Sequence, residues 1–162
     1  MKKFIIQTVL LIVVIGVAVF FISPKGGGSI ALPFLPQKEK SASLQINDAK
    51  LQVEVADTPT KRSKGLGGRA SLGENEGMLF AFDKEDKYPF WMKGLSFPLD
   101  FVWIKGTEVV DISENIQPPV SGQSDASLPI IAPKVPVDKV LEVNAGVIKK
   151  FNIKVGDTVS VK

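Results

Sequence analysis

The sequence predicts a mostly β protein: a compact antiparallel β-sandwich or jelly-roll-like barrel with one or two short helices, preceded by an N-terminal transmembrane helix. Three observations predict it. From residue 43 onward, apolar runs of strand length recur between clusters of Gly, Pro, Asn and Asp. Only two stretches, one after Thr58 and one after Asn144, carry helix signals. At the other end, Phe4–Ile22 is apolar except for Gln7, Thr8 and Gly16. A helix of that length, at about 1.5 Å per residue, nearly crosses a hydrocarbon core of roughly 30 Å.

Residues 1–22 are therefore expected to be an uncleaved anchor. A cleaved leader has a shorter apolar stretch followed by a small-x-small site, whereas this run ends in Phe20-Phe-Ile-Ser-Pro24. Lys2 and Lys3 place its amino terminus in the cytoplasm, so the single-pass chain should carry its C-terminal domain outside. Residues 23–42 are rich in Pro, Gly and Lys and read as a linker, and residues 43–162 as the extracytoplasmic domain.

Within that domain, Leu44 and Ile46, then Leu51, Val53 and Val55, alternate with polar residues around Asn47-Asp48, which predicts a hairpin. Thr58 is placed to cap a helix with Pro59 at its first position, and Gly65, Gly67 and Gly68 stop it. Gly77–Phe82 is a short buried strand, followed by a charged bend at Asp83–Lys87. Phe90-Trp-Met-Lys93 lies between Pro89 and Pro98, which would each remove a ladder donor, so it reads as a displayed loop. Leu99–Ile104 and Glu108–Ile116 form strands joined at Lys105-Gly106-Thr107. Gln117–Val137, with five prolines, is a long irregular excursion, and such loops often carry function. A strand at Val140–Val143, a helical turn at Ala145–Phe151 and a closing strand at Asp157–Val161 complete the chain.

Charge and composition exclude more than they support. The first 42 residues, with five lysines and one glutamate, carry +4, and residues 43–162 carry −1, which together give the net charge of +3. The remainder is close to neutral, so nucleic acid is not an expected partner, because phosphate binding needs a concentrated basic face. The absence of cysteine and histidine removes thiol chemistry, zinc–thiolate sites and the commonest general base. No cofactor and no metal site is assigned on this basis, and no catalytic residue stands out.

Several pieces resemble the domain-of-unknown-function family 192. They are Val55-Ala56, Arg62, Gly65-Leu66 and Arg69, then Glu76-Gly-Met-Leu-Phe80, Phe90-Trp-Met-Lys93 and Pro98-Leu-Asp100. Val140-Leu-Glu142, Ala145-Gly146 and Gly156-Asp157 follow in order, so the resemblance spans roughly residues 50–162. It implies a compact jelly-roll type of β-sandwich, often secreted or membrane-anchored, and no particular activity. Two positions depart from the family pattern: Gly67 stands where a Met is usual, and Gly94-Leu95 where Asn-Thr is usual.

The aromatic stretch from Phe80 to Phe97 is where a site is expected. Trp91 and Met92 are either an aromatic–sulfur platform or ordinary packing. Alternation turns Lys93 to the same side as Trp91 and away from Met92. Asp100 either accepts backbone N–H groups, pairs with Arg69 or Lys93, or faces a pocket. Glu142 is expected on the solvent face or paired with a base. The leading expectation is a binding module for a small molecule, glycan or envelope component, using Trp91, Met92, Lys93 and Asp100, supported by Arg69 and Glu142. Two other classes compete with it. One is a hydrolase in which Asp100 and Glu142 face each other about 5–10 Å apart across a cleft. The other is an envelope scaffold with an exposed apolar patch at Trp91 or Leu128–Ile131. A hard-cation site from Asp100, Asp111 and Glu142 is a further arrangement of the same acids.

Overall fold

A computed structural model describes residues 40–162. The expected anchor and nearly all of the expected linker lie outside the described residues. Among the described residues, no helix is long and apolar enough to cross a membrane.

The strand signals translate closely into strands. Ser41–Ile46 (β1) and Ala49–Ala56 (β2) form the expected hairpin, with Asn47 in the left-handed region at φ 51° to make the tight turn. Ser41 and Ala42 thus belong to the domain rather than to the linker. Helix α1 (Pro59–Lys64) starts as predicted, the Thr58 side chain accepting a hydrogen bond from the Lys61 N–H, and it ends at Gly65 with φ 51°. The next strands are β3 (Glu76–Asp86), β4 (Leu99–Lys105) and β5 (Glu108–Ile116). After the excursion come β6 (Val137–Asn144), helix α2 (Val147–Lys150) and β7 (Val159–Val161). Strand β3 continues through the segment expected to bend, and its pairing with β6 is instead interrupted by a register shift between Ala81 and Asp86.

Instead of two facing sheets, the seven strands form one sheet in the order β5-β4-β6-β3-β2-β1-β7. All neighbours are antiparallel except β2 and β3, which run parallel because the α1 crossover joins them. The sheet curls far enough for its two edges to touch. Val109 N–H donates to the Asp157 carbonyl at 2.9 Å, and Val159 N–H donates to that of Thr107 at 2.8 Å. The barrel half of the expectation therefore describes the fold better than the sandwich half.

Curling gives the sheet an inner and an outer face. Leu44, Leu51, Val53, Val102, Leu141 and Val143 fill the interior. Strand alternation sends Met78, Phe80, Phe101, Trp103 and Val140 outward, where the chain from Lys87 to Pro98 and the excursion 117–136 cover them. Strand β4 is buried on both faces, so it reads as a continuous apolar run broken only by Asp100. Trp103 is fully buried and donates its indole N–H to Ser113 Oγ at 3.0 Å. Truncating such an aromatic to alanine costs about 3–5 kcal/mol.

Candidate functional site

The outer layer is where the sheet is incompletely covered. The loop from Lys87 to Pro98 is pinned on both sides. Phe90 and Ile131 exchange backbone hydrogen bonds at 2.8 and 2.9 Å, tying the loop to the Pro-rich excursion. On the other side, Gly68 N–H donates to the Gly94 carbonyl at 2.8 Å, tying the loop to the end of α1. A Cβ at Gly94 would stand 3.8 Å from both Gly67 Cα and Gly68 N, so small residues on both segments allow the backbones to meet. Met92, with 1% of its surface exposed, anchors the loop in the outer core. Its neighbours Trp91 and Lys93 point the other way, as alternation requires.

Between this loop and α1 lies a cavity of about 220 Å³. Phe80, Phe82, Tyr88, Phe90 and Trp91 supply its aromatic walls, and Arg62, Lys64 and Lys93 its cationic groups. Phe82 and Tyr88 stack at 3.5 Å, and Arg62 lies 5.0 Å from the Phe82 ring centre while donating to the Ala81 carbonyl at 2.7 Å. Phe80 and Phe90 meet edge to face at 4.9 Å. Trp91 is 57% exposed at the surface, and Lys93 forms a 2.6 Å ion pair with Asp125. The departures Gly67 and Leu95 both line this cavity.

Glu142 also lines the cavity, and its setting is unusual. It pairs in register with Met78 on one side and Phe101 on the other, so its side chain enters the aromatic layer. Only 3% of it is exposed. No hydrogen bond or ion pair among the described residues reaches its carboxylate. Burial pushes its pKa up from 4.5 to about 8, with desolvation as the cause. It is neither on the solvent face nor paired with a base, as its sequence context suggests. A buried carboxyl group normally has a partner, and among the described residues this one faces only the cavity.

The other expected site residues are placed elsewhere. Asp100 is fully buried and accepts backbone N–H groups of Asn115, Gly146 and Ile148 at 2.8–3.0 Å, so its turn-bonding reading holds. Asp100 pairs with Val143 and Phe101 with Glu142, which puts the two carboxylates on opposite faces of the sheet. That geometry excludes the two-carboxylate hydrolase. Arg69 makes a bidentate pair with Glu54 at 2.6 Å and lies outside the cavity. The hydrogen bond from Arg69 is the main reason the Glu54 pKa is lowered. Asp111 holds Lys134 of the excursion at 2.9 Å. Among the described residues no group of three acidic side chains gathers as a cation site. The expected set thus resolves into Trp91, Lys93 and Glu142 around the cavity, Met92 packed beneath the loop, and Asp100 and Arg69 in structural bonds. Sequence reasoning missed the roles of Arg62, Phe80 and Phe82. Phe80 and Phe82 are two apart in a strand and so share a face with the Arg62 side of α1, a signal that was present.

The family model DUF192, described as uncharacterized ACR, matches residues 42–161. Among solved structures, the chain is similar to one from Sinorhizobium meliloti 1021 provisionally assigned as a transcription regulator. That similarity has 29% identity, covers 78% of this chain and 98% of the other, and has a TM-score of 0.69. A protein of unknown function from Novosphingobium aromaticivorans DSM 12444 is similar at 26% identity over 85% and 99% of the two chains, with a TM-score of 0.66. No curated protein matches the chain.

Proposed function

The chain belongs to the DUF192 family, and we propose that its domain is a binding module for a small molecule held in the cavity beneath the Trp91–Lys93 loop. The observation that carries this reading is Glu142: a buried carboxyl group with no hydrogen-bond or ion-pair partner among the described residues, opening on a cavity lined by aromatic rings and by Arg62, Lys64 and Lys93. Leaving a polar group in that state costs stability, and a ligand that hydrogen-bonds to it recovers the loss. Rings at Phe80, Phe90 and Trp91 offer apolar area with little side-chain entropy to lose. The cavity lies just below the usual range for drug-sized ligands, roughly 300–1,000 Å³, so a compact ligand fits best.

Tethering to a membrane completes the proposal. Phe4–Ile22 supports a single-pass anchor, and Lys2 and Lys3 support a domain outside the cytoplasm. Resistance of the full chain to alkaline extraction, with the domain open to protease in right-side-out vesicles, tests that half.

The binding half is tested by a thermal-shift screen of compact amphipathic molecules and glycan fragments, with Trp91→Ala and Glu142→Gln beside the parent. A ligand that stabilises the parent and neither variant places binding in this cavity. A ligand that stabilises all three equally places binding elsewhere and refutes the assignment.

A further inference from the structure

We propose that the cavity selects a small zwitterion, taking its ammonium group inward to Glu142 and its anionic group outward to the cationic rim; the inference rests on the cavity reading above. The inner end combines one carboxyl group with the rings of Phe80 and Phe90, and Trp91 stands nearer the surface. Aromatic faces and a carboxylate share one preferred guest, an organic cation, because the ring quadrupole and the negative charge attract the same sign. Among the described residues, no cation forms an ion pair with Glu142. Arg62 is committed to the Ala81 carbonyl and the Phe82 ring, and Lys93 to Asp125. Lys64 forms no salt bridge or side-chain hydrogen bond among the described residues.

The rim makes the second half of the argument. Arg62, Lys64 and Lys93 line the cavity toward its surface, where Lys93 pairs with Asp125 and Lys64 interacts electrostatically with Glu54. A simple amine entering past these groups meets repulsion, whereas a ligand that keeps an anionic group among them meets attraction. One molecule with both charges satisfies both ends. A carboxylate or an alcohol, in contrast, would bring no cation to the Phe80 and Phe90 rings and would use Glu142 only as a protonated donor.

Binding carries its own proton balance. The Glu142 carboxylic acid gives its proton to the buffer as the ammonium group docks, leaving a carboxylate–ammonium pair. With the acid pushed up to about 8, it is mostly protonated near neutral pH. About one proton should therefore be released per ligand bound.

The test is calorimetric titration of the full-length chain in detergent at about pH 7, in buffers of differing ionisation enthalpy, with Trp91 fluorescence followed in parallel. The probes are ε-aminocaproate, hexylamine, caproate and hexanol, which share one carbon chain. The expected result is tightest binding by ε-aminocaproate, with release of about one proton, and at least a tenfold loss with Glu142→Gln. Hexylamine binding as tightly as ε-aminocaproate would overturn the role of the rim. Caproate or hexanol binding as tightly would overturn the ammonium assignment and leave the cavity reading intact. If none of the four binds and Trp91 emission stays constant, while an unrelated ligand from the thermal-shift screen still needs Trp91 and Glu142, only the zwitterion inference falls. If no ligand of either experiment depends on these residues, both readings fall.

Discussion

Replacing Glu142 by glutamine should make the domain more stable at neutral and alkaline pH while changing little in acid. In the folded state burial holds the carboxyl pKa at about 8, against an ordinary value of 4.5. The folded protein thus retains a proton that the unfolded chain releases as pH rises through the ordinary value. Between the two values the unfolded state binds fewer protons, so stability falls as pH increases and levels off only above the folded value. At 1.36 kcal/mol per unit, the full span corresponds to about 5 kcal/mol, of which roughly 3 kcal/mol is already lost near pH 7. These are upper bounds, because water entering the cavity softens the desolvation. The groups facing Glu142 are Met78 from β3 and Phe101 from β4, and the cavity adds Tyr88, Arg62, Lys64 and Lys93. None of them forms an ion pair with it. Glutamine keeps the shape and cannot ionise, although its amide also lacks a partner, so a net gain of about 1–3 kcal/mol is expected near pH 8. Urea unfolding followed by tryptophan fluorescence at about pH 4, pH 7 and pH 9 measures the difference directly. A parent–variant difference that does not change with pH, or a glutamine variant less stable at every pH, would refute the reasoning. Either result would mean that Glu142 is an ionised group with a compensating partner.

Three other substitutions probe the frame around the site. Asp100→Ala leaves the N–H groups of Asn115, Gly146 and Ile148 without their acceptor and should cost about 3–5 kcal/mol in urea unfolding. A loss below about 1 kcal/mol would show that those donors find other acceptors readily. Gly77→Ala places a Cβ 2.8 Å from the Glu142 carbonyl oxygen and 3.1 Å from Val143 Cγ1. It should destabilise by about 1–3 kcal/mol, and an unchanged melting temperature would show that the β3–β6 pairing yields easily. Asp111→Ala removes the acceptor of the Lys134 backbone N–H and the partner of its ammonium group, at 3.0 and 2.9 Å. Burial pushes the Asp111 pKa up, but the bonds from Lys134 and Ile112 outweigh it and the net shift is downward. Hydrogen exchange in residues 117–136 should therefore rise in the variant while β4 stays protected. Unchanged exchange would place the anchoring of the excursion elsewhere.

The local grammar of the chain was legible because each signal acts within a few residues. Asn47 at the hairpin, Thr58 at the helix cap and Gly65 at the helix end all adopt the conformations their chemistry favours. The arrangement of the strands was not legible in the same way. Nothing local says that α1 carries the chain across to a parallel partner, or that β7 returns to the start of β5. Both depend on long-range closure. The charged run Asp83–Asp86 shows the complementary failure. It looks like a bend because it is polar, yet an exposed strand end tolerates charge as easily as a turn does.

The candidate site divides along the same line. Alternation alone correctly separates Trp91 and Lys93 from Met92, since a one-residue step in an extended segment reverses the side chain. The same rule applied to β6 sets Glu142 opposite Leu141, but it does not say which face is solvent. In a two-layer sandwich the outer face of a strand is wet, and a glutamate there needs no explanation. Here the outer face of the curled sheet is roofed by two excursions from opposite sides, the loop to Pro98 and the segment 117–136, which meet at Phe90 and Ile131. That roof converts an ordinary surface carboxylate into a buried one and also leaves the gap beside it. The cavity and its unpaired acid thus have a single cause, the incomplete closure of one loop over a sheet face that closure elsewhere has made apolar. A variant that loosens the Phe90–Ile131 bridge should therefore lower the Glu142 pKa toward its ordinary value and open the cavity together. If either change occurred without the other, that common origin would be refuted.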